Sequence, residues 1–435
     1  MKYYVYNNSK QIFLSVVWFS FFFSINLNPL EFSNFSILNK TRFLMPLVLV
    51  LCSVVFIKKI YYKNLIEKES IVFIMIFFLY FFFNILNEDN HLANLFWPIY
   101  MFLAYFFISS ITNAKEREKL IKFTIFILFI AFTFYFALGL IEMIKHKNPN
   151  FYGILGNNSS YSGINYPPRS SGLARMAIIL FSYFLLYYLI KKSENSSGYK
   201  ILIMVLIFST ISNIFQARTI SFIFVIINLI LIFFYFKDFF SNKKIFIFTL
   251  ILPLIFNSGY NYFKYNYFAQ LNIDNDSSKT YKTGIDLLSH SLKNSIIRDQ
   301  TDSNGDFSSG RFYNWNKAIK LIENEPLIGH GAQSDRIFLT QSVHNALIYT
   351  LLCGGLIAAI CFFLIYLRTL FFFIKFLTIK KLRLNFHYSL CLVLIIILCL
   401  RSILETSFAI FSIDYLIFII AFSHLSNFVN KKNNA

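Results

Sequence analysis

"SSGRFYNWNKAIKLIENEPLIGHG", residues 308–331, is a polar stretch in a chain otherwise crowded with Phe, Ile and Leu. The fold is decided by what surrounds it, and the surroundings are apolar runs. Many approach or exceed about 18 residues, the length at which a helix crosses a bilayer. The 435 residues are 57% hydrophobic and 20% aromatic, with only 14% charged, against about 25% charged in soluble domains. These values exclude an ordinary soluble domain. They predict an all-α polytopic membrane protein with about 12 transmembrane helices and one long extracytoplasmic helical loop, which contains 308–331.

The expected spans are 12–27, 43–57, 71–86, 92–112, 121–143, 172–190, 200–215, 219–236, 244–257, 344–367, 386–400 and 406–424. The stretch 369–379 reads either as an interfacial helix or as an extension of the tenth span. The expected organisation is an N-terminal bundle of about nine spans over 1–257, an extracytoplasmic loop with amphipathic helices over 258–343, and C-terminal helices over 344–435. Lys2 and Lys10 precede the first apolar stretch without a small-residue cleavage site, so that stretch is expected to be a retained anchor.

The net charge of +19 has a topological explanation. With the N-terminus inside, 23 of the 40 basic residues fall in the inner segments, where short cytoplasmic loops retain positive charge. The outer loop 87–91 has no Lys or Arg, and 258–343 balances nine basic against nine acidic residues. The excess is therefore a topogenic signal, and no nucleic-acid partner is expected. Cys52, Cys353, Cys361, Cys391 and Cys399 all lie in apolar runs and offer neither a disulfide framework nor a metal spacing.

Several polar residues stand out. Ser308 and Ser309 suit a helix cap, and Pro326 with Gly329 and Gly331 ends the helix. Phe312, Trp315, Ala318, Ile319 and Ile322 share one face at helical spacing. Arg311 falls in the first turn, where a cation opposes the helix dipole unless an anion binds there. An ordinary amphipathic helix on the membrane surface fits the same pattern. Arg218 occupies a minimal outer turn, against the charge bias, and reads equally as a snorkelling side chain. His344 with Asn345 marks the re-entry into the tenth span; histidine is the usual proton acceptor near neutral pH, although such a residue is often structural. Arg169 and Arg175 are plausible anion contacts at the outer start of the sixth span. Arg401 and Glu405, four apart, are expected to pair with each other, and Asp414 inside the last span needs a partner. Asp274 and Asp276 form a D-x-D, too weak a match to imply a metal, and the chain has no P-loop, G-x-S-x-G or zinc motif.

The order of "PPRSSGLAR", "QARTI", residues 308–331, "SVHNALIYTLLCGGLIA" and "LRSILETSFAIFSID" resembles the O-antigen ligase and O-antigen polymerase superfamily of bacterial membrane glycosyltransferases. The resemblance covers the C-terminal two-thirds. It implies a membrane-embedded glycosyltransferase of the C type in the bacterial inner membrane, with both termini cytoplasmic and the site facing the periplasm. It implies an undecaprenyl-diphosphate-linked glycan as donor, a lipid-linked glycan or the lipid A core as acceptor, inversion at the sugar, and no cofactor or metal. Membrane lipids and a chain-length regulator are further expected partners. Carried over by motif, Arg218 and Arg311 bind the diphosphate and His344 is the loop histidine. Ser309, Arg169, Arg175, Asn345, Arg401 and Glu405 are expected around the substrate. Polymerase is the favoured activity; ligase, protein O-oligosaccharyltransferase and, from a different class, a lipid-linked oligosaccharide flippase are the alternatives. A flippase built from two related halves would show an internal repeat, and no repeat is visible here.

Overall fold

The computed structural model describes residues 2–25, 44–52, 68–86, 92–111, 113–145, 170–191, 198–214, 218–241, 243–271 and 311–433. All regular structure among them is helical. The principal helices are α1 (Lys2–Ser24), α2 (Lys68–Leu86), α3 (Phe96–Ser110), α4 (Ala114–Lys145), α5 (Ser170–Lys191), α6 (Gly198–Ile214), α7 (Arg218–Phe234) and α8 (Leu252–Leu271). They continue as α9 (Arg311–Asn324), α10 (Ser334–Phe338), α11 (Ala346–Thr378), α12 (Phe386–Ser402) and α13 (Ile413–Asn433).

Among the described residues, five stretches are long and apolar enough to cross a membrane: Lys68–Leu86, Ala114–Ile141, Gly172–Lys191, Lys243–Tyr260 and Ala346–Thr378. Six shorter apolar helices, of 10–17 residues, fall on other expected spans. The expected span 43–57 is described only over 44–52, which is helical. Large apolar side chains remain exposed along these helices, among them Phe78 (60%), Leu229 (62%) and Phe233 (74%), the surface a lipid solvent tolerates.

Three boundaries differ from expectation. The stretch 369–379 is no separate interfacial helix, because α11 runs on to Thr378; its 33 residues reach about 50 Å. The last span starts at Ile413 rather than 406. Ser412 Oγ accepts from Tyr415 N at 3.2 Å and so caps α13, while Ser407–Ala409 forms a 3₁₀ turn before it. α8 continues to Leu271, well past 257.

The chain packs as two compact units, Met1–Ile127 with Gly310–Ala435, and Leu128–Ser309. Aromatic pairs dominate the interior of each, as the composition requires. In the first unit Phe408 stacks on Phe418 at 4.1 Å and Phe73 on Tyr105 at 4.9 Å. The Trp18 indole donates to Thr124 Oγ1 at 2.8 Å, and Tyr415 OH to Met101 O at 2.8 Å, so the polar ends of these two buried aromatics are satisfied. In the second unit Phe184 stacks on Phe208 at 5.7 Å, and Asn228 Nδ2 turns back to Phe224 O at 2.8 Å.

The first unit separates its ion pairs by end. Near the C-terminal end of α11, Arg368 pairs with Glu69 in the first turn of α2. His387 at the start of α12 lies 3.8 Å from Glu118 near the start of α4, and Lys10 lies 2.8 Å from Glu116. The opposite end, where α11 and α13 begin and α12 finishes, holds Arg311, His344, Arg401, Glu405 and Asp414.

α11 is broken at Gly355, where φ is +63° and ψ −165°. The loop after α9 fits the break. Leu356 N donates to Pro326 O at 2.8 Å, while His330 N and Gly331 N donate to Leu352 O and Cys353 O, each at 2.8 Å. Those carbonyls have lost their helical donors, and in a membrane an unpaired backbone group is costly. A Cβ on Gly355 would lie 2.2 Å from the carbonyl carbon of Leu327. The two glycines of "CGG" therefore let a polar loop seal a broken membrane helix.

Candidate active site

α9 begins at Arg311, so its guanidinium sits at the helix start as expected. Residues 344 and 345 immediately precede α11, and the turn 403–406 follows α12. These three chain segments converge on one carboxylate. Glu405 Oε1 accepts from Arg311 Nη2 at 3.2 Å, and Oε2 lies 2.8 Å from His344 Nδ1. The three side chains are a quarter to a third exposed, so the cluster is reachable from solvent.

The backbone around His344 is held tightly. Its φ is +54°, a left-handed conformation uncommon for a residue with a side chain. On one side the Trp315 indole N–H donates to Val343 O at 2.7 Å. On another, Val343 N donates to Asp335 Oδ2 at 3.3 Å, and His344 N to Ser342 Oγ at 3.2 Å. Asn345 caps α11, accepting from Ile348 N at 2.9 Å, while its Nδ2 donates to Ile403 O at 2.9 Å. That second bond ties the histidine segment to the turn carrying Glu405. Ala318, Leu339, Val343 and Leu352 form the apolar floor, with Trp315, Leu321, Ile322 and Ile348 packed against it.

Two expectations are corrected here. Arg401 pairs with Asp414, not with Glu405. α12 ends at Ser402, so the i,i+4 geometry that would align Arg401 with Glu405 does not exist, and Glu405 swings to Arg311 and His344. Ser407 Oγ also donates to Asp414 Oδ2 at 3.0 Å, a second partner on the oxygen that takes Arg401. The buried face of α9 is also narrower than expected, with Trp315, Ala318 and Ile322 of that face packed on the core. Asn314 and Ala318 are buried, whereas Phe312 (58%) and Ile319 (45%) are exposed. Asn314 faces inward because its Oδ1 accepts from Gln341 Nε2 at 2.6 Å.

Burial opposes ionisation of Glu405. The hydrogen bond from His344 and the charges of Arg401, His344 and Arg311 outweigh it, holding its carboxyl below the usual range. Ionised, the carboxylate only accepts, so neutral His344 carries its proton on Nδ1 and keeps the lone pair on Nε2. Asp335 lies the other way: it is 1% exposed, and burial raises its carboxyl above the usual range.

The other expected site residues are placed as follows. Arg175 is partly buried on α5, and Arg218 is the first residue of α7, both in the second unit. Arg169 and Ser309, like Ser308, Asp274 and Asp276, lie outside the described residues. Among the described residues no three His, Cys, Asp or Glu side chains are grouped to hold a metal ion. Asp335 and Trp315 support the histidine, yet no spacing in the sequence marks them as its neighbours.

The fold and the site together define a polytopic helical membrane protein with a guanidinium, a carboxylate and an imidazole gathered where its helices end. Residues 203–363 match the family model described as O-antigen ligase, a match that supports the superfamily resemblance carried by the motifs. No curated protein matches the chain.

Proposed function

We propose that this protein is an inverting, metal-independent glycosyltransferase of the bacterial inner membrane. It moves a glycan from undecaprenyl diphosphate to a sugar hydroxyl, and acts as an O-antigen polymerase. The positive-inside charge bias supports cytoplasmic termini and a site facing the periplasm.

The observation that carries the proposal is Glu405 bridging Arg311 and His344. Transfer requires the acceptor oxygen to attack the anomeric carbon while the bond to the diphosphate oxygen breaks and its electron pair departs with the phosphate. Arg311 supplies a guanidinium to the charge that grows there. His344 takes the acceptor proton on Nε2, and Glu405 stabilises the imidazolium that forms. Arg218 is assigned to the same diphosphate by motif, and Arg169, Arg175, Ser309, Asn345 and Arg401 to the surrounding substrate.

Arg311→Ala, Arg218→Ala and His344→Ala are each expected to lower transfer by about 10²–10³ while the protein still accumulates in the membrane. Full activity in these variants refutes the assignment. The description of the matching family favours a second reading, ligase, with the lipid A core as acceptor. Deleting the gene separates the two on a lipopolysaccharide gel. Core bearing one repeat marks polymerase loss, bare core with lipid-linked polymer marks ligase loss, and single lipid-linked units held on the cytoplasmic side mark a flippase.

A further inference from the structure

The end of the first unit opposite Glu405 contains a cavity of about 30 Å³. One water needs roughly 10–15 Å³ measured this way, so the space takes two waters or an aminomethyl group. Its polar lining is Glu69, Ser70, Ser109, Ser423, Ser426 and Asn427. The lining has acceptors in excess. Asn427 Nδ2 is directed to Ser423 O at 2.9 Å and Arg117 Nη1 to Ser423 Oγ at 3.2 Å, which leaves the Glu69 carboxylate, the Ser426 hydroxyl and the Asn427 carbonyl oxygen for the space. Ser109 adds the negative end of the α3 dipole, since that helix finishes at Ser110. Ser426 Oγ is the decisive atom. Its residue is 5% exposed, and the hydroxyl has no hydrogen-bond partner among the described residues. A buried hydroxyl without a partner is unfavourable, and here it lines a space large enough to receive one.

A small cation rich in N–H donors satisfies this lining: a primary ammonium. The neighbouring residue sets the carrier by its chemistry. Arg368 pairs with Glu69, and its guanidinium lies over Phe371 and Phe372 at 4.9 and 5.0 Å. A carboxylate and a guanidinium side by side complement a zwitterion with ammonium and phosphate a few bonds apart. The cavity also lies beside the first turn of α2, a helix long and apolar enough to cross a membrane. We propose that it is a headgroup site for an amine-bearing phospholipid of the phosphatidylethanolamine type. The ammonium is held by Glu69 and Ser426, and the phosphate by Arg368.

The full-length protein, purified in detergent, is offered phosphatidylethanolamine or phosphatidylcholine with the same acyl chains, and retained lipid is counted by native mass spectrometry. The trimethylated headgroup has no N–H to donate, so about tenfold preference for the ethanolamine lipid is expected. Ser426→Leu fills the cavity without touching the Glu69–Arg368 pair, and it is expected to equalise the two lipids while the protein melts as wild type. Glu69→Gln is expected to remove the preference as well. Equal retention by wild type, or a preference unchanged in Ser426→Leu, overturns the proposal. Displacement of the lipid by free ethanolamine at equal concentration overturns it too, because the phosphate contact then contributes nothing.

Discussion

Glu405→Gln tests the proposed chemistry most directly. The substitution keeps size and polarity but replaces an obligate acceptor with a group that also donates, so the tautomer of His344 is no longer fixed. The structure gives two charge-assisted contacts, at 3.2 Å to Arg311 and 2.8 Å to His344. Each is worth about 1.5–3 kcal/mol, toward the lower figure because both partners are partly solvated. In the reaction the larger effect falls on His344. Losing the carboxylate that orients a catalytic imidazole costs about 10²–10⁴ in kcat. Donor KM is expected to stay level or fall, since Arg311 loses its internal competitor for the diphosphate. The assay uses membranes carrying the variant at wild-type abundance, with lipid-linked glycan as donor and product length read on a gel. A kcat within about threefold of wild type, or a loss confined to KM, refutes the orienting role. The same side chain sets an acid limit. Its folded carboxyl lies below the usual range, so the unfolded state binds the proton more readily. The stabilisation is therefore complete above the ordinary carboxylate range near 4.3 and is lost as pH falls through the depressed value. Glu405→Gln flattens that part of the melting-temperature profile.

Asp335→Ala removes the acceptor for Val343 N and is expected to cost about 1–3 kcal/mol. Asp335→Asn keeps an acceptor and sheds a charge that burial disfavours, so its melting temperature is expected to equal or exceed that of wild type. Gly355→Ala places a Cβ against Leu327 in a left-handed conformation and is expected to abolish accumulation in the membrane. Gly259→Ala, with open space around it, serves as the neutral control. Arg401→Met leaves Asp414 buried at 0% exposure without its cation, a loss of about 3–5 kcal/mol, and adding Asp414→Leu is expected to restore much of it, as read by thermal melting.

Helix identity was legible in the sequence because a bilayer imposes a local rule. Each span must satisfy its own backbone and present apolar side chains over its own length, so composition within a window suffices. The expected sidedness rests on a rule of the same kind, since Lys and Arg counts are properties of individual loops. Arg311 at the start of α9 and His344 before α11 followed from capping and turn residues a few positions away.

Tertiary structure alone decided which of these residues meet. Arg311 and Glu405 are 94 residues apart, and His344 and Glu405 are 61, separations that no local periodicity encodes. The four-residue spacing put Arg401 beside Glu405 as on a helix turn, yet the helix stops at Ser402 and Asp414 takes the arginine. The inward turn of Asn314 depends on Gln341, and the break at Gly355 depends on the loop that fills it. Local energetics fix the helices of this protein; the long-range pairing of a few polar groups, each costly to leave unpaired away from water, fixes the site.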